Sequence, residues 1–87
     1  LHFLQQANEK QLPIGQICHA GWVLISANIL KNKKVTSTPA IKDDMQNAGA
    51  RWVNEPVVID GNILSSRNPN DLHLYVPAFI NMVNEAT

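Results

Sequence analysis

The residues best suited to chemistry lie together at Ile17-Cys18-His19-Ala20-Gly21. Cys18 is the chain's single cysteine, and a cysteine thiolate adds readily to electrophilic carbonyl carbons to form covalent intermediates. The apolar stretch Ile14-Gly15-Gln16-Ile17 reads as a short strand leading into it. Beyond it, Trp22, Val23, Ile25, Ser26, Ile29 and Leu30 follow a helical pattern over 19–30. Cys18 therefore falls at a strand-to-helix turn. A nucleophile elbow needs that placement, with the side chain standing on a tight turn and small neighbours, as Ala20 and Gly21 are. The backbone N–H of His19 is placed as one oxyanion donor, and the start of the helix turns its positive end toward the sulfur. A second reading stays open on the residues alone, because a lone cysteine after an apolar strand is commonly a buried small hydrophobe. Adjacent residues seldom point at one another, so spacing gives His19 no role as a base acting directly on Cys18.

The surrounding elements alternate. Residues 1–11 carry Leu1, Leu4 and Ala7 on one side and read as the end of an amphipathic helix, closed by Leu12-Pro13. Lys31 to Lys34 form a solvated turn, and Val35-Thr36-Ser37-Thr38 a β-branched strand stopped by Pro39. A helix over 40–48 has Asp43 and Asp44 near its start and Gly49 placed to end it in a left-handed conformation. Arg51-Trp52-Val53 and Pro56 to Ile59 read as strands, with Asp60-Gly61-Asn62 turning the second into a hairpin with Ile63 to Ser66. A loop over 67–71 enters a last helix capped by Asn70 or Asp71, in which Pro77 marks a kink or break. Helices and strands in this order imply an α/β domain with a partly parallel sheet.

Composition narrows the classes further. Of 87 residues 45 % are hydrophobic, and seven basic side chains balance seven acidic ones, which is the make-up of a globular domain. Zero formal charge gives no footing for nucleic acid or an anionic membrane surface as partner, and no apolar run is long enough to span a bilayer. One cysteine allows no internal disulfide, and with His2, His19 and His73 scattered, no metal site is expected. An unpaired thiol and the lack of a secretory pattern at Leu1-His2-Phe3 fit a reducing, cytoplasmic setting.

The segment from Gly15 to Leu24 resembles the Ile-Cys-His-Gly stretch of the ThiJ/PfpI family, relatives of the class I glutamine amidotransferases. Four further segments match in the same order. They are Lys33 to Ser37, Lys42 to Ala50 with its Asp-Asp and Asn-Ala-Gly-Ala, Glu55 to Asn62, and the Ser-Arg-x-Pro-x-Asp loop from Ser65 to Leu72. The resemblance implies a flavodoxin-like parallel sheet sandwiched by helices with a β-hairpin, residues 1–87 being the C-terminal half of a single domain. It also implies that Cys18 is the reactive thiol and that His19 belongs to the catalytic group, with an acidic residue from a neighbouring subunit. A glutamate that bonds the thiol and a Gly-Gly loop giving a second oxyanion donor precede the region covered, and Glu9 does not match that glutamate. The implied partners are the N-terminal half, a second copy in a homodimer or higher oligomer, and a small carbonyl substrate, with no cofactor. Glyoxalase- or deglycase-like chemistry on reactive carbonyls ranks first; cysteine peptidase activity and a non-catalytic redox-sensing or chaperone-like role are the alternatives. This half alone should be inactive. Two departures from the family pattern stand out: Gln16 where a small residue is usual, and Ala20 ahead of Gly21 where glycine comes directly.

Gly21, Thr38 and Arg67 are candidates for the pocket around Cys18. For each a structural role competes: a tight turn for Gly21, a strand end for Thr36, Thr38 and Pro39, and a dimer contact or a helix-start pairing with Asp71 for Arg67. Asp43 and Asp44 read as first-turn dipole partners, Trp22 and Trp52 as packing residues, and His2 and His73 as surface residues.

Overall fold

The computed structural model describes residues 2–86, so Leu1, expected on the first helix's apolar face, lies outside the described residues. Nine main elements follow in chain order: α1 (His2–Glu9), β1 (Ile14–Ile17), α2 (Gly21–Ser26), β2 (Lys34–Val35), α3 (Lys42–Asn47), β3 (Arg51–Trp52), β4 (Val57–Asp60), β5 (Ile63–Ser66) and α4 (Leu72–Ala86). Short 3-10 turns precede α2, α3 and α4. The α/β class expected from the sequence is the one observed.

β5 is the axis of the larger sheet, which runs β1-β5-β4. β1 pairs with it in parallel, Ile14 opposite Ile63 and Ile17 opposite Ser66. β4 pairs with it antiparallel through the loop at Gly61 and Asn62, where Gly61 takes φ +60°. A strand paired on both edges and covered on both faces has no exposed side, and Ile63, Leu64, Ser65 and Ser66 are all fully buried. β2 and β3 form a separate parallel pair, Lys34 opposite Arg51 and Val35 opposite Trp52. Leu24, Ala27, Leu30, Val35, Ile41, Met45 and Ile63 fill the core between helices and strands.

Several elements are shorter than the sequence suggests, each for a local reason. α2 stops at Ser26 because Asn28 adopts φ +58°, a left-handed conformation that asparagine tolerates well. β2 stops at Val35 because the next backbone groups are taken by side chains: Thr36 N–H donates to Ser65 Oγ at 2.9 Å, and Gln16 Nε2 donates to the Thr36 carbonyl at 2.6 Å. Gly49 closes the segment after α3 with φ +92°, as its position suggested. The 3-10 turn Pro69–Asp71 that leads into α4 is capped by Asn68, whose Oδ1 accepts from Asn70 N–H at 3.0 Å. α4 runs on through Pro77 without a break. Pro77 and His73, whose carbonyl the missing N–H would have met, are both exposed, so solvent can take that bond.

α4 approaches the sheet closely at Gly15. A Cβ there would collide with the Tyr75 hydroxyl and sit 3.0 Å from ring carbons of Phe79, while the two rings stack at 6.2 Å. Gly15→Ala is therefore expected to push α4 off β1 and to destabilise the protein by about 1–3 kcal/mol, read as a lower midpoint in urea unfolding; an unchanged midpoint would show that α4 yields without cost.

Candidate active site

β1 leaves Ile17 in extended backbone, with φ −141° and ψ 148°. Cys18 then reverses direction with φ +61°, and the chain winds through His19 and Ala20 into α2. A side-chain-bearing residue in the left-handed region is uncommon; here it is the residue that would stand at the top of a nucleophile elbow. The turn is tied from outside by Thr38, whose N–H donates to the Cys18 carbonyl at 3.3 Å. Cys18 is partly exposed and unpaired.

The neighbour relation that spacing argues against is present. Cys18 Sγ lies 3.6 Å from His19 Nδ1. The left-handed turn at Cys18 swings the two side chains to the same side, so the rule of thumb drawn from extended or helical backbone fails here. The imidazole is exposed and packs on the indole of Trp22, ring centres 5.3 Å apart and tilted by 50°. Trp22 Nε1 in turn donates to Asp44 Oδ2 at 2.8 Å. Neither Trp22 nor Asp44 was marked for this by the sequence, since 22 residues separate them and only the packing of α2 on α3 brings them together.

The remaining candidates divide. Thr38 is at the elbow through its backbone. Gly21 is buried, and a Cβ on it would sit 2.7 Å from Met45 Sδ and 3.2 Å from Ile41 Cδ1. The small residue is thus demanded by α3 at position 21, which explains why Ala20 is accepted one position earlier, where the chain is exposed. Arg67 follows Ser66, the partner of Ile17, at the same edge of the sheet. Its guanidinium serves the entry to α4, donating to both carboxylate oxygens of Asp71 at 3.0 and 3.1 Å and to Asn54 Oδ1 at 3.1 Å. Gln16 leaves the elbow uncrowded, because its buried amide is committed to the Thr36 carbonyl. Among the described residues no group of three or more His, Cys, Asp or Glu is arranged to hold a metal ion, and no helix is long and apolar enough to cross a membrane.

A parallel-containing α/β layer structure with cysteine and histidine on a strand–helix elbow defines the class of thiol-elbow proteins with flavodoxin-like folds. The DJ-1/PfpI family model matches residues 1–82, and the chain belongs to that family. A deglycase of Thermococcus kodakarensis is 48 % identical over 75 residues, covering 86 % of this chain and 45 % of the relative. The deglycase PfpI of Pyrococcus furiosus is 46 % identical over 71 residues, covering 82 % of this chain and 43 % of its own length. The chain thus spans a little under half the length of these relatives. A crystal structure of a two-domain protein from Anabaena variabilis, with DJ-1/ThiJ/PfpI-like and ferritin-like domains, superposes with a TM-score of 0.93 at 37 % identity over 95 % of this chain and 24 % of the other.

The Arg67–Asp71 pair has a pH signature. The Arg67 hydrogen bonds hold the Asp71 carboxyl below its ordinary range despite the opposing effect of burial. A carboxylate whose folded value is depressed adds stability that is complete above its unfolded value, near 3.9, and is lost as pH falls through the lower folded value. Asp71→Asn should therefore lower the melting temperature at pH 7, and by a smaller amount at about pH 3, where the unfolded chain already binds that proton. Equal losses at both pH values would show that the pair adds no charge-dependent stability.

Proposed function

We propose that the protein is a cysteine-dependent enzyme acting on reactive carbonyls or early glycation adducts, with Cys18 as nucleophile and His19 as its proton acceptor. The observation that carries this reading is the 3.6 Å approach of Cys18 Sγ to His19 Nδ1 on a left-handed elbow. The deglycase names of relatives at 48 % and 46 % identity support it.

With methylglyoxal as substrate, the thiol proton passes to His19 and the sulfur attacks the aldehyde carbon. A C–S bond forms, the carbonyl π pair moves to oxygen, and that oxygen takes a proton to give a hemithioacetal. His19 then removes the hydrogen on the former aldehyde carbon and a proton is returned to the adjacent one, converting the adduct to a lactoyl thioester. Water cleaves the thioester, so methylglyoxal and water leave as lactate and the thiol is regenerated. The His19 N–H is the oxyanion donor nearest the reacting carbon in this scheme, and no cofactor enters it. Thr38 supports the turn, and neither Gly21 nor Arg67 takes part in the chemistry.

The same reading makes this chain the C-terminal half of one domain. Its N-terminal half would contribute the second oxyanion donor and the glutamate beside the thiol, and a neighbouring copy in a cytoplasmic homo-oligomer the acidic partner of His19. The coverage of less than half of each deglycase supports that division.

In the full-length protein, Cys18→Ser is expected to abolish methylglyoxal consumption, and His19→Ala to lower kcat by about 100-fold or more. Unchanged turnover in Cys18→Ser would sink the proposal. Absence of aldehyde turnover in the parent, with mild peroxide oxidising Cys18 alone by mass spectrometry, would assign the thiol to redox sensing instead.

A further inference from the structure

His19 is exposed on a short turn, and an exposed imidazole ordinarily samples several rotamers, so a fixed approach of Nδ1 to Cys18 has to be held by something. The structure offers one continuous set of contacts that does so. The imidazole packs against the Trp22 indole with ring centres 5.3 Å apart and planes tilted by 50°. That indole is itself half exposed, at 49 %, and would be free to turn except that its Nε1–H is bonded to Asp44 Oδ2 at 2.8 Å. A charge-assisted bond of that length fixes a ring's orientation as well as its position. Asp44 has a fixed origin too, because Gly21 lets Met45, its neighbour on α3, close onto α2 with no room for a Cβ between them.

We infer that Asp44 and Trp22 are positioning residues for His19, with Asp44 locking the indole as a backstop that keeps Nδ1 turned toward Cys18. Neither touches the thiol. Asp44 acts through Trp22, and Trp22 acts through the imidazole. The two halves of the device come from different helices, so it exists only when α2 and α3 are packed. The groove of about 380 Å³ beside it, lined by Trp22, Ile25, Ser26, Asp44, Asn47 and Ala48, leaves the indole room to swing away once its anchor is gone.

This inference rests on the assignment of Cys18 and His19 as the reacting pair, but its test does not depend on turnover alone. In the full-length protein, the His19 ring signals, assigned by loss in His19→Gln, report the neighbouring indole directly by NMR. Asp44→Ala should shift those signals and lower kcat for methylglyoxal by about 3- to 10-fold with KM little changed, short of the roughly 100-fold cost of losing an acid–base group. Asp44→Asn, whose amide oxygen can still accept from the indole, should restore both the signals and kcat. Trp22→Phe, which keeps a ring but loses the N–H, should match Asp44→Ala in kcat, and the double variant should be no worse than the more impaired single one. His19 signals unmoved in Asp44→Ala would overturn the inference, as would Asp44→Asn falling as far as alanine, which would make charge and not the indole bond responsible. If the parent shows no Cys18-dependent turnover, the functional assignment fails and the NMR comparison of Asp44→Ala with Asp44→Asn still decides the positioning role.

Discussion

Thr36, Ser37 and Thr38 are buried or nearly so at the point where β2 has ended, and three of their backbone groups are satisfied by parts of the molecule far away in sequence. Ser65 on the central strand takes the Thr36 N–H, Gln16 on β1 takes its carbonyl, and the Thr38 N–H reaches the carbonyl of Cys18. Unmet polar groups in such a place would each cost on the order of 1–3 kcal/mol, so this segment has little freedom to sit anywhere else. It joins the two small sheets, and it ties the elbow through the Cys18 carbonyl. The Trp52 indole, donating to Ser37 Oγ at 3.0 Å, extends the same seam to β3. The geometry at Cys18 follows from a polar seam as much as from the apolar core.

How much of this was legible in the sequence depended on whether the deciding interaction was local. The hairpin at Asp60-Gly61-Asn62, the left-handed Gly49 and the strand–helix junction at Cys18 are short-range signals, and each appears where it was expected. The family resemblance supplied the fold, which alternation alone could only outline. Interactions between distant residues were out of reach. Nothing near Gly21 in the sequence shows that Met45, two elements away, leaves no room for a side chain there. Asn70 or Asp71 was expected to cap α4, but the Asp71 carboxylate is bound by Arg67, and Asn68 caps the 3-10 turn that leads into the helix. The Cys18–His19 contact was discounted by a general rule about adjacent side chains, which holds for ordinary backbone and not at a positive φ.

Gln16 shows how a departure from a family pattern can be absorbed. A long polar side chain beneath an elbow would ordinarily be a liability, since a buried amide needs partners for both ends. One end is satisfied by a short bond to the Thr36 carbonyl, whereas its Oε1, like the hydroxyl of Thr36, has no partner among the described residues. The substitution therefore moved a polar group into the seam that braces the turn, and away from the thiol itself.

The left-handed backbone at Cys18 has an energetic consequence. That conformation costs a residue with a side chain about 1–2 kcal/mol relative to glycine. Folding economy alone would favour glycine at the sharpest point of the turn. Cysteine at position 18 carries that cost where glycine would not, and residues held in such backbone cluster at the working sites of proteins.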